Sequence, residues 1–449
     1  MKIHKSIVIA LILSVFLSCS NIFAADEYSL EDLYRIALER SEKIKISEED
    51  LYISERGRDK AASALLPKLS AFGSYTKYTE DKRSSTGAII QPDGSISWGL
   101  RLDQSFYLNG REITAFKISK EYIEKSRYDL HAVKEVYIFS VASAYYDVLR
   151  AKKAVEIAKA NFDRLTKHRD AAAIRLKVGE VTKTDLLRAE AELSGAHAEL
   201  VKAENNLKLT RAVLARVVGI SGDYDVKETA GIREDAADNL DSLKQRAFAE
   251  RAEMKAMELQ KRIAEEQVGY SKGAYWPTLS VEGVYARRED NPSVVTVNKE
   301  SIYGGIKLNF PFFEGGLRRA EVAEAEAKKR QSELIYDDLK KTIGIEVENA
   351  YLDFQTQKGV LKSFDDQVTF ASDNYNSVSK QYQFGLANSI DVIDANTLLL
   401  TAERQLTDAR YNYQLSVLRL QRATGALLRT IASQQSVENR SREDKGRTN

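Results

Sequence analysis

VGEVTKTDLLRAEAELSGAHAELVKAENNLKLTRAVLARVVG occupies Val178–Gly219, and FGLANSIDVIDANTLLLTAERQLTDARYNYQLSVLRLQRATG occupies Phe384–Gly425. The two stretches align without a gap at an offset of 206 residues (384 − 178). Both alternate large and small residues at spacings of three and four, as in Leu186, Ala189, Leu193, Ala196, Leu200, Ala203 and Leu207, and in Val392, Ala395, Leu399, Ala402, Leu406 and Ala409. A 3.5-residue repeat predicts helices packed as coiled coils, with large side chains facing small ones. Because the stretch occurs twice, the chain is expected to consist of two similar halves that together form one structural unit.

The overall composition excludes one class of partner. The chain of 449 residues has 67 Lys and Arg against 66 Asp and Glu, and only five prolines. The chain thus lacks the excess of basic charge that would indicate binding to nucleic acid. A chain rich in charged residues and poor in proline is typical of long helices.

The N-terminus has the features of a secretory signal peptide over residues 1–24. Two lysines precede an apolar run from Ile7 to Leu17, and the small residues Ala24 and Ala25 follow. The run is too short to span a bilayer as a helix, and we expect cleavage after Ala24. Cys19 is the single cysteine. It either accepts a lipid, as in a lipoprotein signal, or is discarded with the signal peptide.

After a first helical segment in each half, the spacing of apolar residues changes at a proline from a helical to a strand-like pattern. Pro67 and Pro277 are followed by strict alternation of apolar and polar residues, and a polar loop then leads to a second alternating segment. The predicted strands contain Leu69–Thr76, Ile96–Phe106, Leu279–Ala286 and Ile302–Phe310. An alternating strand in an exported chain has two interpretations, a soluble hairpin covering a core or a membrane β-barrel with its apolar side toward lipid.

The length of the strands and the aromatic residues near their ends favour the barrel. One chain supplies four strands, however, and about eight are needed for the smallest filled barrel. Open sheet edges cannot face lipid. Geometry therefore predicts a barrel that several copies of the chain share.

The second strand of each half leads into a segment without proline, residues 111–177 and 317–383. As a helix, each segment would be about 100 Å long. The glycines at 179 and 385 then reverse the chain into the two stretches quoted above. The sequence divides into 1–24 (signal peptide), 25–219 (first repeat, with helix, β-hairpin and long helical hairpin), 220–239 (connector), 240–425 (second repeat) and 426–449 (polar tail).

This order of elements, present twice, resembles the TolC-like outer-membrane efflux proteins. The most specific segments are Phe312–Gly316, Gly385–Asn396 and Ala409–Tyr413. The resemblance implies an α+β membrane protein and a homotrimer. Its composite β-barrel, four strands per chain, lies in the outer-membrane lipid and continues as a long periplasmic α-helical barrel. It further implies a passive exit duct of a tripartite efflux or type I secretion system, opened by a periplasmic adaptor protein and an inner-membrane pump. A periplasmic coiled-coil scaffold and an independent, ungated porin are the alternatives.

The resemblance places a periplasmic gate just beyond the second turn. Its acidic rings match Asp391 and Asp394, with Asn388 on the same helical line, and further members of the gate match Tyr382 and Asp185. An ordinary solvated acidic face near a helix N-terminus is the competing interpretation. The arginine that the family has four residues before the first aspartate is Ala387 here. We hypothesise that Arg188 replaces it, the alternative being a local ion pair with Asp185 or Glu192.

The turns themselves resemble the family's adaptor-contacting tips. They comprise Val178, Gly179, Glu180 and Val181 in the first half, and Phe384, Gly385, Leu386 and Ala387 in the second. No enzyme active site, metal site or cofactor is predicted. His131, His168 and His197 lack the spacing of metal ligands and are interpreted as surface residues.

Overall fold

The computed structural model describes residues 26–228, 239–294 and 298–432. The predicted signal peptide and Cys19 lie outside these residues. Among the helices described, none is long and apolar enough to cross a membrane.

Helices dominate the fold, and the strands form one main sheet with two small accessory pairs. The helices are α1 (Leu30–Arg40), α2 (Glu42–Ser63), α3 (Arg111–Lys177), α4 (Lys183–Val218), α5 (Leu240–Glu250), α6 (Ala252–Lys272), α7 (Leu317–Gln383) and α8 (Ser389–Ala423). The strands are β1 (Asp26–Tyr28), β2 (Lys68–Lys77), β3 (Lys82–Arg83), β4 (Ile89–Gln91), β5 (Gly94–Tyr107), β6 (Tyr224–Val226), β7 (Thr278–Asn291) and β8 (Glu300–Asn309).

The two halves have the same order of main elements: two short helices, two strands, one very long helix and a returning helix. The long helices α3 and α7 each contain 67 residues, and each begins after a glycine with positive φ, Gly110 and Gly316. We call α3 with α4 the first arm, and α7 with α8 the second arm. At 1.5 Å per residue each long helix extends about 100 Å, so the turns lie far from the strands.

The four predicted strands are confirmed and form one antiparallel sheet in the order β2-β5-β7-β8. Register places the apolar residues of all four strands on one face, where Leu69 lies opposite Leu102, and Leu279 opposite Leu308. That face is exposed in the protomer at Leu69, Tyr75, Ile96, Trp98, Leu100, Leu102, Val281, Ile302, Ile306 and Leu308. The other face carries polar residues, among them Arg101 opposite Ser70, and Lys307 opposite Ser280.

The first helical segment of each half is broken, which the sequence analysis did not predict. Ser41 separates α1 from α2 with ψ 122°, and Arg251 separates α5 from α6 with ψ 132°. Ser41 caps the second helix, since its hydroxyl accepts a hydrogen bond from the amide of Ile44. The two halves thus bend at equivalent places.

Short strands occur in two regions that were interpreted as loop and connector. Strands β3 and β4 pair within the polar loop of the first half. In the connector, β6 pairs in parallel with β1, and Asp225 of β6 accepts hydrogen bonds from Lys152 and Arg211 at 2.8 and 2.9 Å. These contacts fix residues 224–226 of the connector to the middle of the first arm.

The main core lies where α1, α3, α4 and α8 meet. Its fully buried members include Leu33, Ile138, Val141, Tyr145 and Leu214. Leu427 and Ile431 belong to the same cluster, although both fall within the predicted polar tail that starts at residue 426. Their burial places the end of the packed chain beyond that boundary.

Candidate functional site

The two predicted tips are tight turns of the same construction. In the first tip (residues 178–181), Gly179 has φ +81°, and the amide of Glu180 donates to the carbonyl of Arg175 at 2.9 Å. In the second tip (residues 384–387), Gly385 has φ +76°, and the amide of Leu386 donates to a carbonyl of α7 at 2.8 Å. Glycine adopts this left-handed conformation without the strain that a Cβ imposes. Val178, Phe384 and Leu386 are exposed, so both tips present apolar side chains to the outside.

Each returning helix starts with a capping box that uses a predicted gate residue. Asp185 accepts hydrogen bonds from the amide and hydroxyl of Thr182 at 2.9 and 2.7 Å. Asp391 accepts from the amide of Asn388 at 2.9 Å. Such boxes satisfy amides that have no partner within the helix. The hydrogen bonds from Thr182 lower the pKa of Asp185, and the positive charge of Arg188 adds to this effect.

Asp391 and Asp394 both lie on the exposed side of α8. Val392 and Ile393 between them are buried, so the two carboxylates face away from the packed interior of the protomer. Arg188 is also exposed, and its guanidinium forms no ion pair with any described residue of its own protomer. Within one protomer Arg188 therefore forms no ion pair with Asp394, Asp185 or Glu192, although its charge acts on Asp185, and its pairing across protomers stays a prediction.

Tyr382 is buried between the arms. Its ring centroid lies 5.0 Å from that of His168, and the guanidinium carbon of Arg175 lies 4.6 Å from its centroid. The hydroxyl is buried and has no hydrogen-bond partner among the described residues. Tyr382 is therefore not bonded to Asp185, and the structure does not unite these two predicted gate residues within a protomer.

The interpretation of His168 as a surface residue was wrong. Its side chain is buried, and its Nε2 atom lies 3.0 Å from the hydroxyl oxygen of Ser389 at the start of α8. Burial lowers the pKa of His168, so the ring is expected to be neutral at pH 7. His131 and His197 are exposed, as predicted.

His168 belongs to a polar seam between α3 and α8 that sequence analysis missed. Arg164 donates to the carboxylate of Glu403 at 3.1 and 3.3 Å and to the amide oxygen of Asn396 at 2.9 Å. Asn396 in turn donates to Asn161 at 2.7 Å. The available signal was a set of polar residues on the inner face of an otherwise apolar helix. Polar pairs in a coiled-coil interface fix which surfaces meet and in what register.

A sequence profile of outer membrane efflux proteins matches residues 33–220 and 243–426. The chain belongs to this family. The efflux protein is 24% identical to outer membrane protein TolC of Vibrio cholerae, over 81% of this chain and 83% of that protein. It is 23% identical to outer membrane protein TolC of Escherichia coli, over 95% of this chain and 87% of that protein. The crystal structure of the Campylobacter jejuni CmeC outer membrane channel has the same fold, with a TM-score of 0.78, 17% identity and coverage of 89% and 86%. As a member of this family, the efflux protein is a protein of the cell outer membrane.

Proposed function

We propose that the efflux protein is a passive exit duct of a tripartite efflux or type I secretion system. The observation that supports this function is the four-stranded sheet with one continuous exposed apolar face. Such a face is stable in lipid, because removing each large apolar side chain from water is favourable by about 1.5–3 kcal/mol. The edges of β2 and β8 have no partner strand in the described part of the protomer.

Closing the sheet requires further copies of the chain. Unpaired strand edges are not tolerated in lipid, so β8 of one protomer is proposed to pair with β2 of the next. Three copies would give twelve strands, enough to surround a lumen. The polar face with Arg101 and Lys307 would then line the water-filled interior. The six arms of the homotrimer would continue the duct as an α-helical barrel in the periplasm.

The gate is proposed to lie at the tips. In a trimer, Asp391 and Asp394 would each form a ring of three carboxylates, which repel one another and favour bound cations. Arg188 is proposed to supply a positive partner across the protomer boundary. The exposed apolar side chains of the tips would dock a periplasmic adaptor, and the inner-membrane pump would supply the energy for opening.

Lipid contact of the apolar face can be tested by fluorescence. The chain has two tryptophans, Trp98 on that face and Trp276 next to Pro277. In a Trp276→Phe variant, brominated lipids are expected to quench Trp98 strongly. A matched control carries Trp276→Phe, Trp98→Phe and Ser97→Trp, and so moves the fluorophore to the polar face. Equal quenching of both variants would contradict the barrel, and no quenching of either would favour a periplasmic scaffold.

The gate is tested separately by electrical recording. Purified trimers in planar bilayers are expected to show low resting conductance, whereas an ungated porin would conduct without partners. Photo-crosslinking from Glu180 or Leu386 is expected to capture a periplasmic adaptor. A quenching result that supports the barrel together with high resting conductance would retain the duct and exclude the gate.

A further inference from the structure

The side chain of Arg175 crosses from the first arm to the second. It lies in the last turn of α3, and its Nε atom is 3.3 Å from Oε2 of Glu180 in the first tip. Its Nη2 atom donates to the backbone carbonyl of Gln383 at 3.4 Å, at the end of α7. Its guanidinium carbon lies 4.6 Å from the ring centroid of Tyr382. The side chain is only 17% exposed, so these contacts are partly shielded from water.

Arginine suits this position for a physical reason. The planar guanidinium binds a carboxylate at one edge and a carbonyl at another, while its face stacks on an aromatic ring. Carbonyls at a helix C-terminus carry partial negative charge, which favours a cation. A Cβ added at Gly385 would lie 3.7 Å from Nη2, so the guanidinium rests directly against the second tip. Ala387, by contrast, supplies no charge to this turn.

We propose that Arg175 is the residue that holds the second tip against the first in each protomer of the closed duct. The proposal rests on the gate described under the proposed function and names a residue that positions it. Arg175 supplies a positive charge to the second tip from within the same protomer, whereas Arg188 is proposed to act across the protomer boundary. Release of the contacts with Gln383 and Tyr382 would let the second tip move.

The motion would be local, because other contacts hold the arms together further from the tip. Arg164, which binds Glu403, lies eleven residues before Arg175. This spacing corresponds to about 16 Å along the helix. Loss of the Arg175 contacts therefore frees the last turns and the second tip, while the seam at Arg164 stays closed.

Hydrogen–deuterium exchange of purified trimers measures this directly. The amides of Gly385 and Leu386 are hydrogen-bonded to carbonyls of α7 at 3.1 and 2.8 Å. In Arg175→Gln, their exchange is expected to accelerate at least about tenfold, a change that corresponds to about 1.4 kcal/mol. Exchange in residues 111–165 is expected to stay unchanged. Arg175→Lys keeps the charge without the planar fork and is expected to give an intermediate rate.

Arg169→Gln is the matched control, because Arg169 pairs with its neighbour Asp170 on the same helix. It is expected to leave tip exchange at the wild-type rate. Resting conductance, the second readout, is expected to rise several-fold in Arg175→Gln and to stay at the wild-type level in the control.

The outcomes separate this inference from the gate itself. Unchanged tip exchange in Arg175→Gln overturns the inference, whatever the conductance. Faster exchange in a duct that already conducts fully at rest supports the role of Arg175 and overturns the gate. A rise of conductance in Arg188→Gln but not in Arg175→Gln assigns the closing charge to Arg188 and overturns the role of Arg175.

Discussion

The carboxylate of Asp391 accepts a hydrogen bond from the backbone amide of Asn388 at 2.9 Å, and the backbone amide of Asp391 donates one to the side-chain oxygen of Asn388 at 3.0 Å. Asp391 thus helps to cap the N-terminus of α8 within its own protomer. Asp394, three residues later on the same exposed face, is not part of this capping box. Of the two aspartates proposed for the cation-binding rings, Asp391 therefore also caps its helix, whereas Asp394 does not.

Neutralising Asp394 should weaken cation binding at the gate without disturbing the helix. In Asp394→Asn, we expect the affinity for a blocking multivalent cation to fall about tenfold or more, because three charges leave one ring at once. Asp391→Asn is expected to weaken block similarly and also to loosen the first turn of α8. The measurement is block of single-channel current by hexamminecobalt. Glu190→Gln, an exposed acid of α4, is the control, and unchanged block in both aspartate variants would contradict the rings.

The four strands of the main sheet and the long helices could be predicted because their signals are local. Alternation over ten residues determines which side chains share a strand face, and a heptad repeat determines a helix stripe. The break at Ser41 gave no such signal, since serine also occurs within helices and the apolar pattern continues on both sides. The pairing of β1 with β6 joins three-residue strands about 200 residues apart, and short segments carry too little pattern to specify a distant partner.

The site was predictable at its turns and not between its arms. Glycine at 179 and 385 marks a reversal from sequence alone. The contact of Arg175 with Tyr382 depends on how two separate coiled coils pack, and the sequence of either arm does not specify that packing. The same holds for His168, whose ring packs against Tyr382 of α7 and whose Nε2 atom lies beside the hydroxyl of Ser389 in α8.

Replacing either tip glycine with alanine should destabilise the turn. Gly179 and Gly385 have φ +81° and +76°, where a Cβ costs about 1–2 kcal/mol. Gly179→Ala and Gly385→Ala are therefore expected to speed exchange of the tip amides about five- to thirtyfold. Gly195, in the interior of α4 with open space around it, is the control. Gly195→Ala should instead stabilise its helix by about 0.5–1 kcal/mol, and faster tip exchange there would point to a general effect.

The ion pair of Arg164 with Glu403 should contribute measurably to the seam between α3 and α8. Both side chains are largely buried, with 17% and 24% exposure, and each loses its partner if the other is replaced. A double-mutant cycle with Arg164→Ala and Glu403→Ala is expected to give a coupling energy of about 1–3 kcal/mol from thermal unfolding of trimers in detergent. The exposed pair of Lys202 with Glu199 should give about 0–0.5 kcal/mol. Equal coupling in the two cycles would contradict a structural role for the seam.

Glu135 is expected to make the efflux protein less stable as the pH rises from about 4.5 to 7. Its side chain in α3 is buried, and one carboxylate oxygen has no hydrogen-bond partner among the described residues. Burial, together with the negative charge of Glu253, raises the pKa of Glu135 from 4.5 to about 7, whereas Arg251 and the amide of Leu428 act in the opposite direction. Between these two values the folded protein keeps a proton that the unfolded chain has lost. Stability from this group is therefore full below pH 4.5 and falls until the folded carboxyl ionises near pH 7.

Glu135→Gln imitates the protonated acid and should remove this dependence. At pH 8 the variant is expected to unfold at a higher temperature than the wild type, because its free energy of unfolding is larger by about 1–3 kcal/mol. Near pH 4.5 the two proteins should be similarly stable. Unfolding temperatures of trimers across pH 4.5–8 measure the effect. Glu258→Gln, at an exposed position of α6, is the control and should follow the wild-type profile. If Glu135→Gln also follows the wild-type profile at every pH, the carboxylate of Glu135 is ionised in the folded protein and the bound proton belongs to another group.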